Sequence, residues 1–259
     1  MMHATMSASD LLASVDHRPF PPPNGPIAIK QDWHDLLFAH WPVSYETIRD
    51  KIPTMLDVDL YDGTAWIGIV PFRMVDVQPV WAPFPSNFLE LNVRTYVRHK
   101  GEGGVYFFSL DASDLAAVLG ARLWYGLPYY WAQMRFALRQ AHPREPADAY
   151  SFSSRRLAAR QPTELDVDYQ AIAPVQPATR GSVEEFLTER YCLYNFWKGA
   201  LYRADIHHLP WPLQIAEAEF RKNTMAGPTG IKLASERPAL LHFSYKISTV
   251  AWAISRLNS

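Results

Sequence analysis

Residues 88–97 read FLELNVRTYV, and every odd position among them, Leu89, Leu91, Val93, Thr95 and Val97, is apolar or β-branched. A period of two is the spacing of a β-strand, whose successive side chains point to opposite faces. The odd face therefore meets a packed core. The even face carries Phe88, Glu90, Asn92, Arg94 and Tyr96, a mixture of charge and aromatic surface that suits a polar lumen better than open solvent. A chain built around such a strand needs a sheet whose two faces are both covered, each by something different.

Other segments extend the pattern. LYDGTAWIGIVPF (60–72) places a turn at Asp62-Gly63 before the alternating Ala65, Ile67 and Ile69, which predicts a hairpin. VYFFSL (105–110) follows the glycine turn KGEGG and is too uniformly apolar to be half exposed, so it reads as a central strand. YYWAQMRFAL, YSFSSRRL, LDVDYQAIA, LYNFWKGALYRADIHH and PALLHFSYKISTVAW supply further strands, and WPLQIAEAEF fits strand or helix.

Helices are few and short. DWHDLLF (32–38) reads as a short helical start, and Ser44 caps a helix through Ile48 that Pro53 ends. Asp111-Ala-Ser113 offers caps for a helix with Leu115, Val118, Leu119 and Arg122 on one face, closed by Gly126 and Pro128. Ser182 and Glu185 form a capping box that opens SVEEFLTERY. Many strands without a βαβ rhythm predict a mainly β (α+β) fold with an antiparallel sheet, curled or closed, as one domain over residues 27–259. Residues 1–26, which carry Pro19, Pro21, Pro22, Pro23 and Pro26, read as a flexible N-terminal arm.

Composition removes several function classes. Lysine plus arginine (25) nearly cancels aspartate plus glutamate (26), so no single-sign field draws in nucleic acid or an anionic membrane. No run approaches the roughly 18 apolar residues of a membrane span. The opening residues lack a signal peptide's basic segment and apolar run, and Cys192 is the single cysteine, so the expected location is the cytoplasm and no intrachain disulfide can form. Gly-x-Ser-x-Gly, P-loop and dinucleotide-binding glycine motifs are missing. The 9 Trp, 13 Tyr and 13 Phe are ample material for a dense core or a lined cavity.

The segments HWPV (40–43), DGTAWIGIVPFRM (62–74), FLELNVRTYV (88–97), GVYFFSLDA (104–112), ARLWYGLPYYWAQM (121–134), FLTERYCLY (186–194) and HLPWPLQ (208–214) together resemble the YqjF-like family of conserved bacterial proteins. The likeness runs over about residues 30 to 253. It implies the β-barrel or cone fold of the acetoacetate decarboxylases, whose members often assemble into oligomers. Those decarboxylases form a Schiff base on a lysine within Gly-x-Pro-Lys-Lys. The similar stretch here is Gly126-Leu127-Pro128-Tyr129-Tyr130, with tyrosine in both lysine places, and a phenol forms no imine. Decarboxylation by that route is therefore not expected. The resemblance also implies a cavity glutamate at Glu90.

These readings nominate Glu90, Arg94 and Tyr129 as the candidate catalytic group, with Arg94 as anchor for a carboxylate or carbonyl and Glu90 as acid or base. Asn92, Tyr130, Phe88, Tyr96, His40 and Arg122 complete a candidate ligand-binding set. His40, His207 and His208 lack the HxH or HExxH spacing of a metal site, so neither metal nor cofactor is expected. Lys246 and Lys198 read as solvent-exposed lysines and Cys192 as buried and inert. The expected partner is a small organic acid or carbonyl compound. A non-enzymatic carrier of an apolar ligand, or a structural homo-oligomer joined through the loop VWAPFP, stands as the alternative.

Overall fold

The computed structural model describes residues 6–80, 82–139 and 148–257, so Trp81 of the VWAPFP loop lies outside the described residues. In chain order come α1 (Ala8–Leu12), β1 (Ile27–Val43), α2 (Tyr45–Arg49), β2 (Asp57–Val58), β3 (Ala65–Pro79), β4 (Ser86–His99) and β5 (Glu102–Ala112). Then follow α3 (Leu115–Trp124), β6 (Tyr129–Arg139), β7 (Ala149–Arg156), β8 (Glu164–Ala171), α4 (Val183–Thr188), β9 (Cys192–Trp197), β10 (Ala200–His207), β11 (Gln214–Asn223), β12 (Leu240–Trp252) and β13 (Ser255–Arg256). The chain is mostly strand with a few short helices, and no helix among the described residues is long and apolar enough to cross a membrane.

The strand pairings close on themselves twice. β12, β1, β3, β4 and β5 are successive antiparallel neighbours. From β5 one route returns to β12 through β9 and β10, and a second returns through β6, β7, β8 and β11. The five strands from β12 to β5 are thus a shared wall. Among the described residues only the steps from β5 to β6 and from β5 to β9 are parallel.

Alternation along the wall sorts its side chains. On β4, Leu91, Val93 and Val97 join Leu37, Ala39, Ile67 and Ile69 in a core closed by Phe152, Val167 and Tyr169 of the second route. Burying each such aliphatic side chain stabilises the fold by roughly 1.5–3 kcal/mol. The other face, with Phe88, Glu90, Asn92 and Arg94, opens on a cavity.

Three local expectations change. DWHDLLF is part of β1, because Asp35 takes a φ of 52° and the register against β3 shifts between His34 and Ala39. The bulge is held by the Asp35 ion pair with Arg73 at 2.6 Å and by the Tyr169 hydroxyl donating to the Asp35 carbonyl at 2.7 Å. The helix after β5 is capped by Asp114, whose side chain accepts from the Ala117 amide. Its expected apolar face does not pack as a unit: Val118 is buried, but Leu115, Leu119 and Arg122 are exposed, and the small residues Ala117, Gly120 and Ala121 face the cavity instead. The helix of SVEEFLTERY stops at Thr188, although Ser182 does accept from the Glu185 amide as its cap. WPLQIAEAEF resolves as the strand β11.

The segment before β1 touches the sheet at separate points. Leu11 is buried beside Val250 and Trp252, Arg18 donates to the carbonyls of Ile206 and Phe20, and the Trp252 indole donates to the Gly25 carbonyl.

Candidate functional site

The cavity holds about 830 Å³. Its walls are the even-numbered face of β4, Val70, Phe72 and Met74 of β3, and Leu36 and Phe38 of β1, with Leu193 and Ile206 from β9 and β10 across the lumen. α3 presents only small residues to it, which leaves the lumen room. Polar side chains are few, so each one present dominates its surroundings.

Glu90 and Tyr129 meet inside this cavity. Glu90 stands opposite Phe72 on one side and Ala112 on the other, while Tyr129 starts β6 opposite Leu110. The two residues thus reach across β5. The turn into β6 depends on Gly126, which has a φ of 61° and whose added Cβ would sit 2.4 Å from the Trp197 ring. The Tyr129 hydroxyl donates to Glu90 Oε2 at 2.7 Å. Burial pushes the Glu90 carboxyl up to about 7, the Tyr129 hydrogen bond opposes that rise, and the Asp111 charge adds to it. Burial and the neighbouring Glu90 hold the Tyr129 phenol well above its usual range. Near neutral pH the pair holds an exchangeable proton within an apolar wall.

Arg94 lines the cavity one polar step further along, beyond Asn92. Its guanidinium lies 5.4 Å from the Phe38 ring centre and 5.8 Å from that of Tyr96, and its Nη2 donates to the Leu187 carbonyl at 3.3 Å. Among the described residues no carboxylate lies within 4 Å of it. The other arginine that lines the cavity among the described residues, Arg190, is matched by Asp59 at 2.6 Å. An arginine without a counter-ion in an apolar cavity attracts an anion.

Below Arg94 lie Tyr96 and His40. Tyr96 gives its only proton to the Leu187 carbonyl at 2.9 Å, so the 2.7 Å contact with His40 is an Nε2–H donated to the Tyr96 oxygen. His40 is fully buried, which drives its imidazole well below the usual range, with the Arg94 charge adding to the effect. It is a neutral support for the Arg94 floor rather than a group in the lumen. Gly68 makes space for this stack, since a Cβ there would lie 3.1 Å from His40 Nε2 and 3.4 Å from Arg94 Cγ.

The structure thus brings Glu90, Tyr129, Asn92, Arg94 and Phe88 to one cavity, with Tyr96 and His40 beneath it. Two expected ligand-binding residues lie elsewhere. Tyr130 follows Tyr129 and so points to the opposite face of β6, 37% exposed, with the Arg156 guanidinium 4.0 Å from its ring centre. Arg122 is exposed on the outer side of α3. No lysine lines the cavity among the described residues: Lys246 is half-buried in a 2.8 Å ion pair with Asp32, and Lys198 is exposed over the Trp197 ring. Cys192 is buried, and burial pushes its thiol up to about 11.

Sequence reasoning missed several wall residues. Phe38 supports Arg94, the Trp211 ring meets Phe38 edge-on at 4.9 Å, and Trp33 stacks on Trp211 at 5.9 Å. Their one signal was Trp211 within HLPWPLQ, which carries no spacing that points to a cavity.

The chain matches the DUF2071 family, described as an uncharacterized conserved protein, over residues 30–248. It is 39% identical over 237 residues to the uncharacterized protein YqjF of Bacillus subtilis (strain 168), a match covering 90% of this chain and 94% of that protein. Among solved structures it is similar to an acetoacetate decarboxylase from Legionella pneumophila, with a TM-score of 0.62 and 12% identity over 94% of this chain and 93% of that one. The enduracididine biosynthesis enzyme MppR complexed with pyruvate gives a TM-score of 0.59 at 10% identity, covering 94% of this chain and 98% of that one. At such identity these likenesses establish the fold alone, and the fold is acetoacetate decarboxylase-like. The match across most of the chain, with its 39% identical relative, places this protein in the DUF2071 family of uncharacterized conserved proteins.

Proposed function

We propose that the cavity binds a small organic acid or carbonyl compound and acts on it by acid–base chemistry at Glu90 and Tyr129, without a Schiff base. The observation that carries this reading is the pairing of a carboxyl near 7 with a tyrosine hydroxyl in an apolar cavity that also holds Arg94, which has no carboxylate partner among the described residues. A carboxyl of that affinity can protonate a carbonyl oxygen when it holds its proton, or remove an acidic proton next to one when it is ionised. Arg94 supplies the anchor by a charge-assisted hydrogen bond to the acid group. MppR, which shares the fold, is complexed with pyruvate, a keto acid of this class.

The experiment is calorimetric titration of a panel of organic acids and their uncharged amides into the protein and into Arg94→Met. Acids bound at least tenfold more tightly than amides, with the difference lost in Arg94→Met, support the reading. Equal affinity for both forms refutes it.

The apolar wall favours a second reading, a carrier of an apolar ligand. It is distinguished by chemistry: a carrier returns its ligand unchanged, and Glu90→Gln then alters affinity alone.

A further inference from the structure

The two polar poles of the cavity are apart. Glu90 and Arg94 are four residues apart on one strand, about 13 Å at the usual strand rise. They also engage different partners. Glu90 reaches across β5 to Tyr129, while Arg94 lies against Phe38 and Tyr96 and bonds the carbonyl of Leu187. No hydrogen bond or ion pair joins them among the described residues.

Beyond Glu90 the wall becomes apolar and leads outward. The pairs Glu90–Phe72, Phe88–Met74 and Ser86–Val77 mark successive steps along the β3–β4 ladder, and Pro79 and Val80 follow. Val80 is 65% exposed yet lines the cavity, so it marks the rim. Ile29, paired with both Pro79 and Ala251, lies at the same end. From Arg94 to Phe88 alone the lumen follows about 20 Å of strand. A short keto acid would occupy a small part of 830 Å³, a volume within the range that encloses a drug-sized molecule.

Resting on the acid-binding reading above, we propose that the ligand is an elongated amphipathic carboxylate. Its acid group sits at Arg94, its middle passes Glu90 and Tyr129, and its hydrocarbon end lies among Met74, Val77 and Phe88 towards Val80. Any chemistry by the Glu90–Tyr129 pair then falls on a carbon remote from the acid group rather than on the carbon next to it. The small residues of α3, Ala117, Gly120 and Ala121, keep the lumen wide along this path.

The test is a chain-length series of straight-chain monocarboxylates from butanoate to tetradecanoate, with acetoacetate and the matching alcohols, titrated into the full chain. Tryptophan fluorescence gives the readout, because Trp33, Trp211 and Trp252 line the cavity. Affinity should rise about 4-fold per methylene, the equivalent of ~0.8 kcal/mol of apolar burial, and then level off. Ala121→Phe, which obstructs the lumen, should move that plateau to shorter acids while the melting transition shows that it folds. Affinity that is flat with length, or greatest for butanoate or acetoacetate, overturns the elongated ligand and leaves the acid reading standing. Alcohols that bind as tightly as acids, with Arg94→Met unchanged, overturn the carboxylate and the acid reading together while the length dependence survives.

Discussion

The Tyr129 hydroxyl donates to Glu90 Oε2 at 2.7 Å although an intervening strand, β5, separates the two backbones. The contact exists because Ala112 and Leu110, which pair with these two residues, lie two positions apart on β5. Residues so spaced project from the same face. Tyr129 thus places a hydroxyl donor in the cavity wall at the start of β6.

Tyr129→Phe removes the hydrogen bond that lowers the Glu90 carboxyl, so that carboxyl should titrate above its present value of about 7. Infrared or NMR titration of the carboxyl checks this. An unmoved midpoint would show that the bond does not control the group. Stability should fall by about 1–2 kcal/mol.

Glu90 binds its proton more tightly folded than unfolded, with a midpoint raised from 4.5 to about 7. Its contribution to stability is therefore full below 4.5 and declines as pH rises through 7. Chemical denaturation from pH 5 to pH 8 should show the wild type losing up to about 3 kcal/mol relative to Glu90→Gln.

The histidines act in the opposite direction. Burial lowers His208 to about 4 and His40 well below its usual range, so the unfolded chain takes up protons that the folded chain refuses. Stability should fall as pH drops from 6.5 towards 4. In His208→Asn the slope over that window should lessen by close to one proton's worth, as read by denaturant titration.

Arg156 and Asp111 form a fully buried pair, with contacts of 3.0 and 2.6 Å to Asp111 Oδ1. Arg156→Met leaves a buried carboxylate without its partner and should cost about 3–5 kcal/mol. The double variant with Asp111→Leu should recover most of that loss, measured by urea unfolding.

Gly68→Ala places a methyl group against His40 and Arg94 and should destabilise by about 1–3 kcal/mol. It should also weaken binding of any acid anchored at Arg94 more than binding of its amide, as calorimetry would show.

Much of the wall was legible because period two survives in β4 without interruption. The same rule failed on β1, where the Asp35 bulge puts Trp33, Leu36 and Phe38 out of simple alternation and mimics a helical spacing. α3 misled for another reason. Large apolar residues normally mark the buried face of a helix, but here that helix borders a void, so small residues face inward and Leu119 faces out. The Glu90–Tyr129 meeting depends on the offset of a parallel strand step, which no local spacing encodes. Glu90 and Arg94 were legible because charge on one face of an otherwise apolar strand has few places to go.

The shared wall has a consequence for how this protein can change over evolutionary time. On β4 the even positions from 86 to 94 meet the cavity, while Leu91, Val93 and Val97 meet the packed core. Substitutions at 88, 90, 92 and 94 therefore alter the lining of the lumen, whereas 91, 93 and 97 hold the packed core. A single-residue insertion in the strand would exchange the two sets at once, turning core side chains into the lumen and lumen side chains into the core.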